Sequence, residues 1–431
     1  MGDRIEPAHL EYQRAITALF ARTGTSAKLG LERTKSLLAQ LGNPERRFPV
    51  FHVAGTNGKG SVVAMLYALL RSKGFSVGRY TSPHLIDFRE RIVVDDDQIG
   101  AQEVLGFLRK WEAESERLGA TFFEITTVLA FDHFARRGVD VAVIETGMGG
   151  RLDATNVITP LVSGLTSVAI DHTEYLGNSL VAIAREKAGI FKPGVPALIG
   201  RLDPEAEQEI RRRAEEIGAP LLGAASLYPV GGVRVTADGT DVEFGTAGFS
   251  ERVRVGLVGR PQGANMAIAL AMLHAAGDPY KVSFGEAREV LPAVRLPGRF
   301  QRIGKFVVDV AHNLEAMRAL RDTLEAVDLP RPLVAVVGIM RDKEWLEMLH
   351  ALAPAVDKLV VSCPASAPTD RLWDLDELQQ RWRGESGPIS VIPRLPTALA
   401  ASATSEGTVL VCGSFYTVGE ALAELAATVP A

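Results

Sequence analysis

Val53-Ala-Gly55-Thr56-Asn57-Gly58-Lys59-Gly60-Ser61 decides the fold class, because it joins an apolar strand pattern (residues 48–55) to a helical one (residues 61–73). Glycines let backbone N–H groups approach a phosphate closely, and a helix N-terminus attracts anions. A lysine can then bind the β- and γ-phosphates, and a nearby hydroxyl can bind Mg²⁺. The stretch predicts a triphosphate-binding loop, although Gly60 separates Lys59 from Ser61. The alternative is a glycine-rich turn with a solvated lysine.

Apolar runs alternate with helical patterns on both sides of this loop, which is typical of a parallel α/β sheet. From about residue 219 to 258, short β-like pieces with turn signals predict a small antiparallel excursion on the first domain. Proline and glycine break the pattern at residues 296–299. We therefore expect an α/β fold of two domains. Residues 1–295 form a mostly parallel, phosphate-loop domain, 296–299 a linker or hinge, and 300–431 a smaller Rossmann-like domain.

Composition excludes several classes of protein. The 431 residues include 47% apolar residues, which excludes disorder, and a formal charge of −5 gives no general attraction for nucleic acid or an anionic membrane. Two cysteines, Cys363 and Cys412, fit a reducing cytosol. No run reaches the length of a membrane span, and the first residues lack a signal peptide's apolar segment. We expect a cytoplasmic protein without nucleic-acid or membrane partners.

Polar side chains follow further predicted strands. Glu145 ends an apolar run, and ligands of open α/β sheets bind at the carboxyl ends of strands. Its carboxylate could hold Mg²⁺, with a helix N-cap or a solvated turn acid as the alternative. Ser82 and His172 also follow strands, and for His172 a functional and a structural role both stay open. From the residues alone, Lys187 is better interpreted as a solvated charge near the negative end of a helix.

Taken together, several blocks resemble the folylpolyglutamate synthase/dihydrofolate synthase family, part of the Mur-ligase-like group of ATP-dependent amide ligases. They occur in matching order from residue 29 to residue 420, and therefore cover almost the whole chain. The matching blocks are residues 29–33, 55–61, 81–85 with 89–91, 145–156, 171–173, 186–191, 297–300, 309–313 and 413–420.

The resemblance implies a role for each matching position. The expected ATP contacts are Thr56, Asn57, Gly58, Lys59, Gly60, Ser61, Asn265, Arg299, Asp309 and His312. The expected metal ligands are Ser61, Ser82, Glu145 and His172, and the expected catalytic residues are Lys59, Lys187 and His172. Lys187 matches a lysine that is carbamylated in the family, which reverses its interpretation as a solvated charge. The pterin-bearing substrate is expected at Ser26, Ala27, Lys28, Leu29, Thr121, Phe122, Phe123, Glu124, Leu152, Asp153 and Ala154.

The activity implied by this resemblance is ATP-dependent addition of L-glutamate to a pterin-bearing carboxylate through an acyl phosphate. The resemblance also implies two Mg²⁺ ions and a monomer, with a monovalent cation as a further candidate cofactor. Residues 151–156 match relatives that accept dihydropteroate, so we expect a bifunctional enzyme. Two departures are Pro261, where many relatives have a histidine, and residues 26–28, which are not a close match to the pterin-binding loop of bifunctional relatives.

Alternative functions remain. One is a monofunctional folylpolyglutamate synthase, which would differ only in its acceptor. Another Mur-type ligase is disfavoured because about 47 residues precede the phosphate-loop strand, too few for a sugar-nucleotide domain. A P-loop kinase or motor would not need residues 309–313 in a second domain. A non-catalytic nucleotide-binding module would tolerate loss of Lys59 and Glu145.

Overall fold

A computed structural model describes residues 7–22, 30–246, 249–382 and 389–428 of the chain. The chain divides into two compact units, Met1–Tyr228 with Ala267–Ser283 and Pro229–Met266 with Phe284–Ala431. The second unit thus includes residues that precede the linker predicted at 296–299. That linker, with the flanking domain ranges 1–295 and 300–431, stays a prediction.

The strands in the described residues are β1 (Val50–Ala54), β2 (Val77–Tyr80), β3 (Ile92–Val94), β4 (Asp97–Gln98), β5 (Val141–Glu145), β6 (Val162–Leu165), β7 (Ala197–Ile199), β8 (Leu221–Gly223), β9 (Val230–Thr236), β10 (Gly239–Thr246), β11 (Phe249–Val255), β12 (Gln301–Ile303), β13 (Phe306–Asp309), β14 (Leu333–Val337), β15 (Lys358–Cys363), β16 (Ile389–Arg394) and β17 (Thr408–Cys412).

The α-helices in the same residues are α1 (Pro7–Phe20), α2 (Glu32–Gln40), α3 (Lys59–Ser72), α4 (Ala101–Leu118), α5 (Phe122–Arg137), α6 (Thr173–Leu176), α7 (Leu180–Ala188), α8 (Pro204–Ile217), α9 (Ala224–Leu227), α10 (Gln262–Ala276), α11 (Phe284–Val290), α12 (Leu314–Ala326), α13 (Trp345–Leu352), α14 (Leu375–Arg381), α15 (Leu395–Ala403) and α16 (Phe415–Thr428). No helix within the described ranges is long and apolar enough to cross a membrane.

The first unit is built on a sheet with the strand order β4-β3-β2-β5-β1-β6-β7-β8. β1 lies inside this sheet, parallel to β5 on one side and to β6 on the other. Every residue of β1 and of β5 is buried, because helices cover both faces, as is usual for parallel sheets. β3 and β4 pair antiparallel at one edge. The predicted mostly parallel sheet is confirmed.

The second unit contains a sheet with the order β12-β13-β17-β14-β15-β16, in which β12 alone is antiparallel to its neighbour. A separate antiparallel sheet has the order β11-β10-β9, so the predicted antiparallel pieces are confirmed. They group with the second unit, whereas the sequence suggested an excursion on the first. The reason is packing, because Val235 and Ala237 contact the apolar core formed by β13, β14 and α12. An ion pair between Arg302 and Asp238 adds a second contact within this unit.

One close approach in the first unit makes a stability prediction. Gly78 of β2 lies against the ring of Phe134, and a Cβ at this position would come within 2.9 Å of two ring atoms. Overpacking of this kind costs about 1–3 kcal/mol, so Gly78→Ala should lower the urea midpoint of unfolding. The matched control is Gly106→Ala in α4, where nothing lies within 4 Å. That change should raise stability by about 0.5–1 kcal/mol, because alanine favours a helix. A Gly78→Ala protein as stable as the parent would contradict the packing.

Candidate active site

The glycine-rich loop follows β1 and ends at the first turn of α3. Gly55 and Gly58 have φ angles of +152° and +90°, which favour glycine over residues that carry a Cβ. The turn directs the N-terminus of α3, beginning at Lys59, towards the carboxyl edge of the sheet. The predicted contacts Thr56 to Ser61 therefore lie together on one strand–turn–helix unit, in the arrangement that binds phosphates in other proteins.

Two residues that the sequence analysis did not single out hold this loop. The Thr166 hydroxyl donates to the carbonyl of Asn57 at 2.6 Å. The Ser167 hydroxyl accepts from the backbone N–H of Asn57 at 2.9 Å and lies 3.0 Å from its carbonyl. Thr56 adds two bonds with the backbone of Ala169, at 3.0 and 3.2 Å. Thr166 and Ser167 directly follow β6, the strand beside β1. Their position at the end of a strand is the sequence feature from which this role could have been predicted.

The ammonium group of Lys59 turns back over the loop. Its Nζ donates to the carbonyls of Gly55 at 3.1 Å and Thr56 at 3.2 Å. These carbonyls keep the positive charge above the loop, close to the helix N-terminus. A nucleotide phosphate bound at the loop can take over both bonds, which is the role predicted for this lysine.

Glu145 is the last residue of β5, beside β1, and is 5% exposed. Its Oε2 accepts from the backbone N–H of Ser82 at 3.4 Å, so two of the predicted metal ligands are neighbours. The described ranges contain no group of three or more His, Cys, Asp or Glu side chains that could hold a metal ion by themselves. This donor set still fits Mg²⁺, which usually takes one or two carboxylates and completes its shell with waters and substrate phosphates.

His172 has a left-handed backbone, with φ +50° and ψ +40°, directly before α6. Non-glycine residues rarely adopt this conformation, and in native proteins such residues cluster at functional sites. The buried carboxylate of Asp171 accepts the backbone N–H of His172 at 2.8 Å and so fixes the turn. The imidazole is 42% exposed and can reach a ligand. Its predicted role in metal binding stays a prediction.

Lys187 lies in the last turn of α7 and is only 3% exposed. Burial, together with the nearby charge of Lys59, lowers the pKa of its amine to about 7, against the opposing influence of Asp171 and Asp153. The interpretation as a solvated charge is therefore wrong. A buried amine with this pKa is in part neutral at physiological pH, and such shifts are frequent at functional sites.

The loop after Glu145 packs closely against the end of α7. A Cβ on Gly150 would come within 2.7 Å of the carbonyl oxygen of Lys187, so the two backbones are in contact. The backbone N–H of Arg151 donates to the carbonyl of Glu186 at 2.7 Å, and its side chain pairs with the carboxylate of Glu186. Lys187 is therefore placed by the same loop that contains part of the predicted substrate segment.

The predicted substrate residues fall into three groups. Ser26, Ala27, Lys28 and Leu29 lie outside the described residues. Thr121 caps α5 together with Glu124, whose carboxylate also pairs with Arg33. Phe122 is stacked on Phe20 with ring centroids 4.5 Å apart, and Phe123 lies directly against Gly147. The start of α5 therefore meets the loop that carries Leu152, Asp153 and Ala154.

The remaining predicted nucleotide contacts belong to the second unit. The carboxylate of Asp309 accepts the backbone N–H groups of Phe300 and Ala311, both at 2.9 Å, and burial raises its pKa. Nδ1 of His312 donates to the carbonyl of Val310 at 2.9 Å. The Arg299 guanidinium lies 5.6 Å from the centroid of the Phe415 ring, and Asn265 donates to Gln262 at 3.0 Å. Their contacts with ATP stay predictions.

Thr166 gives a direct test of how the phosphate loop is held. Thr166→Val keeps the shape of the side chain but removes the hydroxyl that binds Asn57. We expect a loss of about 1 kcal/mol, or roughly 5-fold weaker binding of a non-hydrolysable ATP analogue measured by calorimetry. Thr166→Ser should bind like the parent. Ser163→Ala, on β6 with its hydroxyl on Ile190 instead, is the matched control. Equal affinity of the valine and serine variants would contradict this role of Thr166.

Comparison with known proteins supports one family. The Mur ligase middle domain model matches residues 53–273, and the Mur ligase glutamate ligase domain model matches residues 298–415. The chain is 33% identical to the dihydrofolate synthase/folylpolyglutamate synthase of Bacillus subtilis, over 95% of this chain and 98% of that protein. It is 35% identical to the protein of the same name from Escherichia coli, over 91% of this chain and 90% of that protein.

Solved structures give the same result. The Mycobacterium tuberculosis folylpolyglutamate synthase complexed with ADP and AMPPCP superposes with a TM-score of 0.87 at 30% identity, covering 97% of this chain and 99% of that one. Escherichia coli FolC in complex with DHPP and ADP gives a TM-score of 0.84 at 33% identity, covering 96% and 98%. The chain belongs to the dihydrofolate synthase/folylpolyglutamate synthase family of ATP-dependent Mur-type ligases.

Proposed function

We propose that the protein joins L-glutamate to a pterin-bearing carboxylate with hydrolysis of ATP to ADP and phosphate. The observation that carries the proposal is the grouping at one sheet edge of a phosphate loop, the carboxylate Glu145 and the buried amine Lys187. A simple kinase has no need of such an amine. The acceptors that we propose are dihydropteroate, which gives dihydrofolate, and tetrahydrofolate, which gives a γ-linked polyglutamate.

The chemistry takes place in two steps. A carboxylate is a poor acyl donor, because its oxygens leave badly. A substrate carboxylate oxygen therefore attacks the γ-phosphorus of ATP, the bond to the β,γ-bridging oxygen breaks, and an acyl phosphate and ADP form. The glutamate nitrogen then attacks the acyl carbon, phosphate leaves and the nitrogen loses a proton. Enzymes assist phosphoryl transfer mainly by positioning the reactants and stabilising charge.

The chain's own residues can supply this positioning. Lys59 would move from the carbonyls of Gly55 and Thr56 to the β- and γ-phosphate oxygens. Ser61, Ser82, Glu145 and His172 would hold divalent metal, which would withdraw charge from the phosphates when bound. His172 must be neutral to act as a ligand. We also propose that the enzyme binds two Mg²⁺ ions and a monovalent cation, and that it is a cytoplasmic monomer.

Phosphate release tests the function. The purified protein, with Mg·ATP and L-glutamate, should release phosphate when dihydropteroate or tetrahydrofolate is added and not without an acceptor. Lys59→Ala should lower kcat by roughly 100-fold or more, because the charge that faces the transferred phosphoryl group is lost.

A protein that releases phosphate with neither acceptor would contradict the proposed function. Release that does not depend on glutamate would favour a kinase or an ATPase. Activity with tetrahydrofolate alone would favour a monofunctional folylpolyglutamate synthase, the alternative acceptor range.

We also propose that Lys187 is carbamylated. Its neutral amine would attack CO₂, a C–N bond would form and a proton would leave to solvent, so that a buried cation becomes a carboxylate-like group. Its buried amine and lowered pKa support this reaction, since only the neutral amine is nucleophilic. A carbamate oxygen at this position would be a suitable ligand for a second Mg²⁺.

Carbamylation can be detected independently of activity. In ¹³C-labelled bicarbonate, the protein should show a carbamate carbon resonance that is absent from Lys187→Met. Because the pKa of Lys187 is about 7, the signal should grow as the pH rises through 7 and the neutral amine fraction increases. Lys192→Met is the matched control, since burial also lowers the pKa of Lys192, to about 8, but its amine is bonded to Asn156. A signal that persists in Lys187→Met would contradict the assignment.

A further inference from the structure

His52 is a histidine in the middle of β1, between the apolar residues Phe51 and Val53, and it is fully buried. Its Nε2 lies 2.9 Å from Oγ1 of Thr155. Its Nδ1 has no hydrogen-bond partner within the described part of the chain. Burying a polar nitrogen without a hydrogen-bond partner costs stability, so the presence of a histidine at this position of a central strand requires an explanation.

The direction of this hydrogen bond follows from the next one. Oγ1 of Thr155 is 2.5 Å from Oδ1 of Asp153, and an ionised carboxylate can only accept. The threonine proton therefore lies towards Asp153, and the threonine oxygen must accept its second bond from Nε2–H of His52. Of the two neutral tautomers of His52, only the one with the proton on Nε2 is compatible with these hydrogen bonds. Burial lowers the pKa of His52 to about 3, in agreement with a neutral ring.

The carboxylate of Asp153 connects these hydrogen bonds to the backbone of the loop that follows β5. Its Oδ2 accepts the N–H groups of Gly147 and Met148, both at 2.9 Å, and its Oδ1 also accepts the N–H of Thr155 at 3.0 Å. Burial raises the pKa of Asp153, whereas these donors favour its ionised form. Gly147 in turn lies against the ring of Phe123. The orientation of the Asp153 carboxylate thus determines how the loop backbone at Gly147 packs against Phe123 of α5.

The other end of the loop is fixed separately. Asn156 donates through Nδ2 to the carbonyls of Arg151 and Gly189, at 3.0 and 2.9 Å. Lys192 donates to Oδ1 of Asn156 at 2.6 Å. Because these bonds hold residues 151–156 against the segment after α7, the fold of the loop does not depend on His52 alone. His52 and Thr155 control the part of the loop that faces Phe123.

We propose that His52 and Thr155 are positioning residues for the pterin-bearing substrate, acting through the carboxylate of Asp153 on the backbone at Gly147 and Met148. This inference rests on the proposed function, because the substrate is the one assigned there. The side-chain hydrogen bonds of His52 and Thr155 lead to Asp153 and not to the phosphate loop. Substitution of either residue should therefore weaken binding of the pterin-bearing substrate and leave ATP binding unchanged.

Paired variants test the proposal. Thr155→Val removes the hydroxyl and leaves Nε2–H of His52 without an acceptor, and should raise KM for dihydropteroate about 10-fold. His52→Leu should raise it about 3- to 5-fold, whereas His52→Gln, whose amide can donate from the same place, should stay within about 2-fold of the parent. Thr155→Ser should also resemble the parent. KM for ATP should stay within about 2-fold in all four.

The double variant separates a relay from two independent packing effects. In the Thr155→Val background, His52→Leu removes a donor that already lacks a partner, so the double variant should be no worse than Thr155→Val alone. Independent effects would multiply and would overturn the relay. Thr323→Val, a buried threonine in α12 of the second unit, is the control for the substitution itself and should leave both KM values unchanged.

Two further measurements do not depend on turnover. With ¹⁵N-labelled histidine, the parent should show one His52 resonance of a protonated Nε2 and one of an unprotonated Nδ1, both constant from about pH 5 to 8. A protonated Nδ1 would overturn the assignment. Calorimetric binding of dihydropteroate in the presence of ADP should weaken in Thr155→Val by the same factor as KM rises. No binding by the parent would contradict the proposed function, whereas equal binding by parent and variant would overturn the relay alone.

Discussion

The constraint on which the rest of the structure depends is the burial of β1 between two parallel neighbours. β5 and β6 satisfy its backbone on both sides, and all five of its residues are buried. The chain can therefore leave β1 only at the carboxyl edge of the sheet, through a turn whose glycines have positive φ angles. The same edge receives the ends of β5 and β6. Phosphate loop, carboxylate and supporting hydroxyls meet there because the strands are parallel and in register.

Burial also decides the chemistry of individual side chains around this edge. Lys187 would be an ordinary ammonium group in water, but its enclosed position lowers its pKa to about 7. His52 is held neutral by the same effect. Asp153 is a buried carboxylate that receives four donors, and these donors come from the loop and Thr155. In each case the residue type alone predicts a charge state or a partner different from the one that the fold imposes.

Much of the fold could be predicted from the sequence, because the relevant signals are local. The strand and helix patterns of residues 48–55 and 61–73 correspond to β1 and α3, and the antiparallel pieces predicted from about residue 219 to 258 correspond to β9, β10 and β11. The packing partner of those strands could not be predicted. It depends on Val235 and Ala237 reaching a core whose other members lie more than sixty residues further along the chain.

The sequence by itself determined the strand–loop–helix unit, the alternation of strands and helices, and the blocks that show the family. These depend on residue order within short segments, where spacing and turn chemistry act directly. Only the tertiary structure decided that Thr166 and Ser167 hold the phosphate loop, that Lys187 is buried, and that His52 is joined to Asp153 through Thr155. Residues 52 and 155 are distant in the chain and adjacent in space. A hydrogen bond between them is formed only after the sheet has brought β1 and the loop after β5 together.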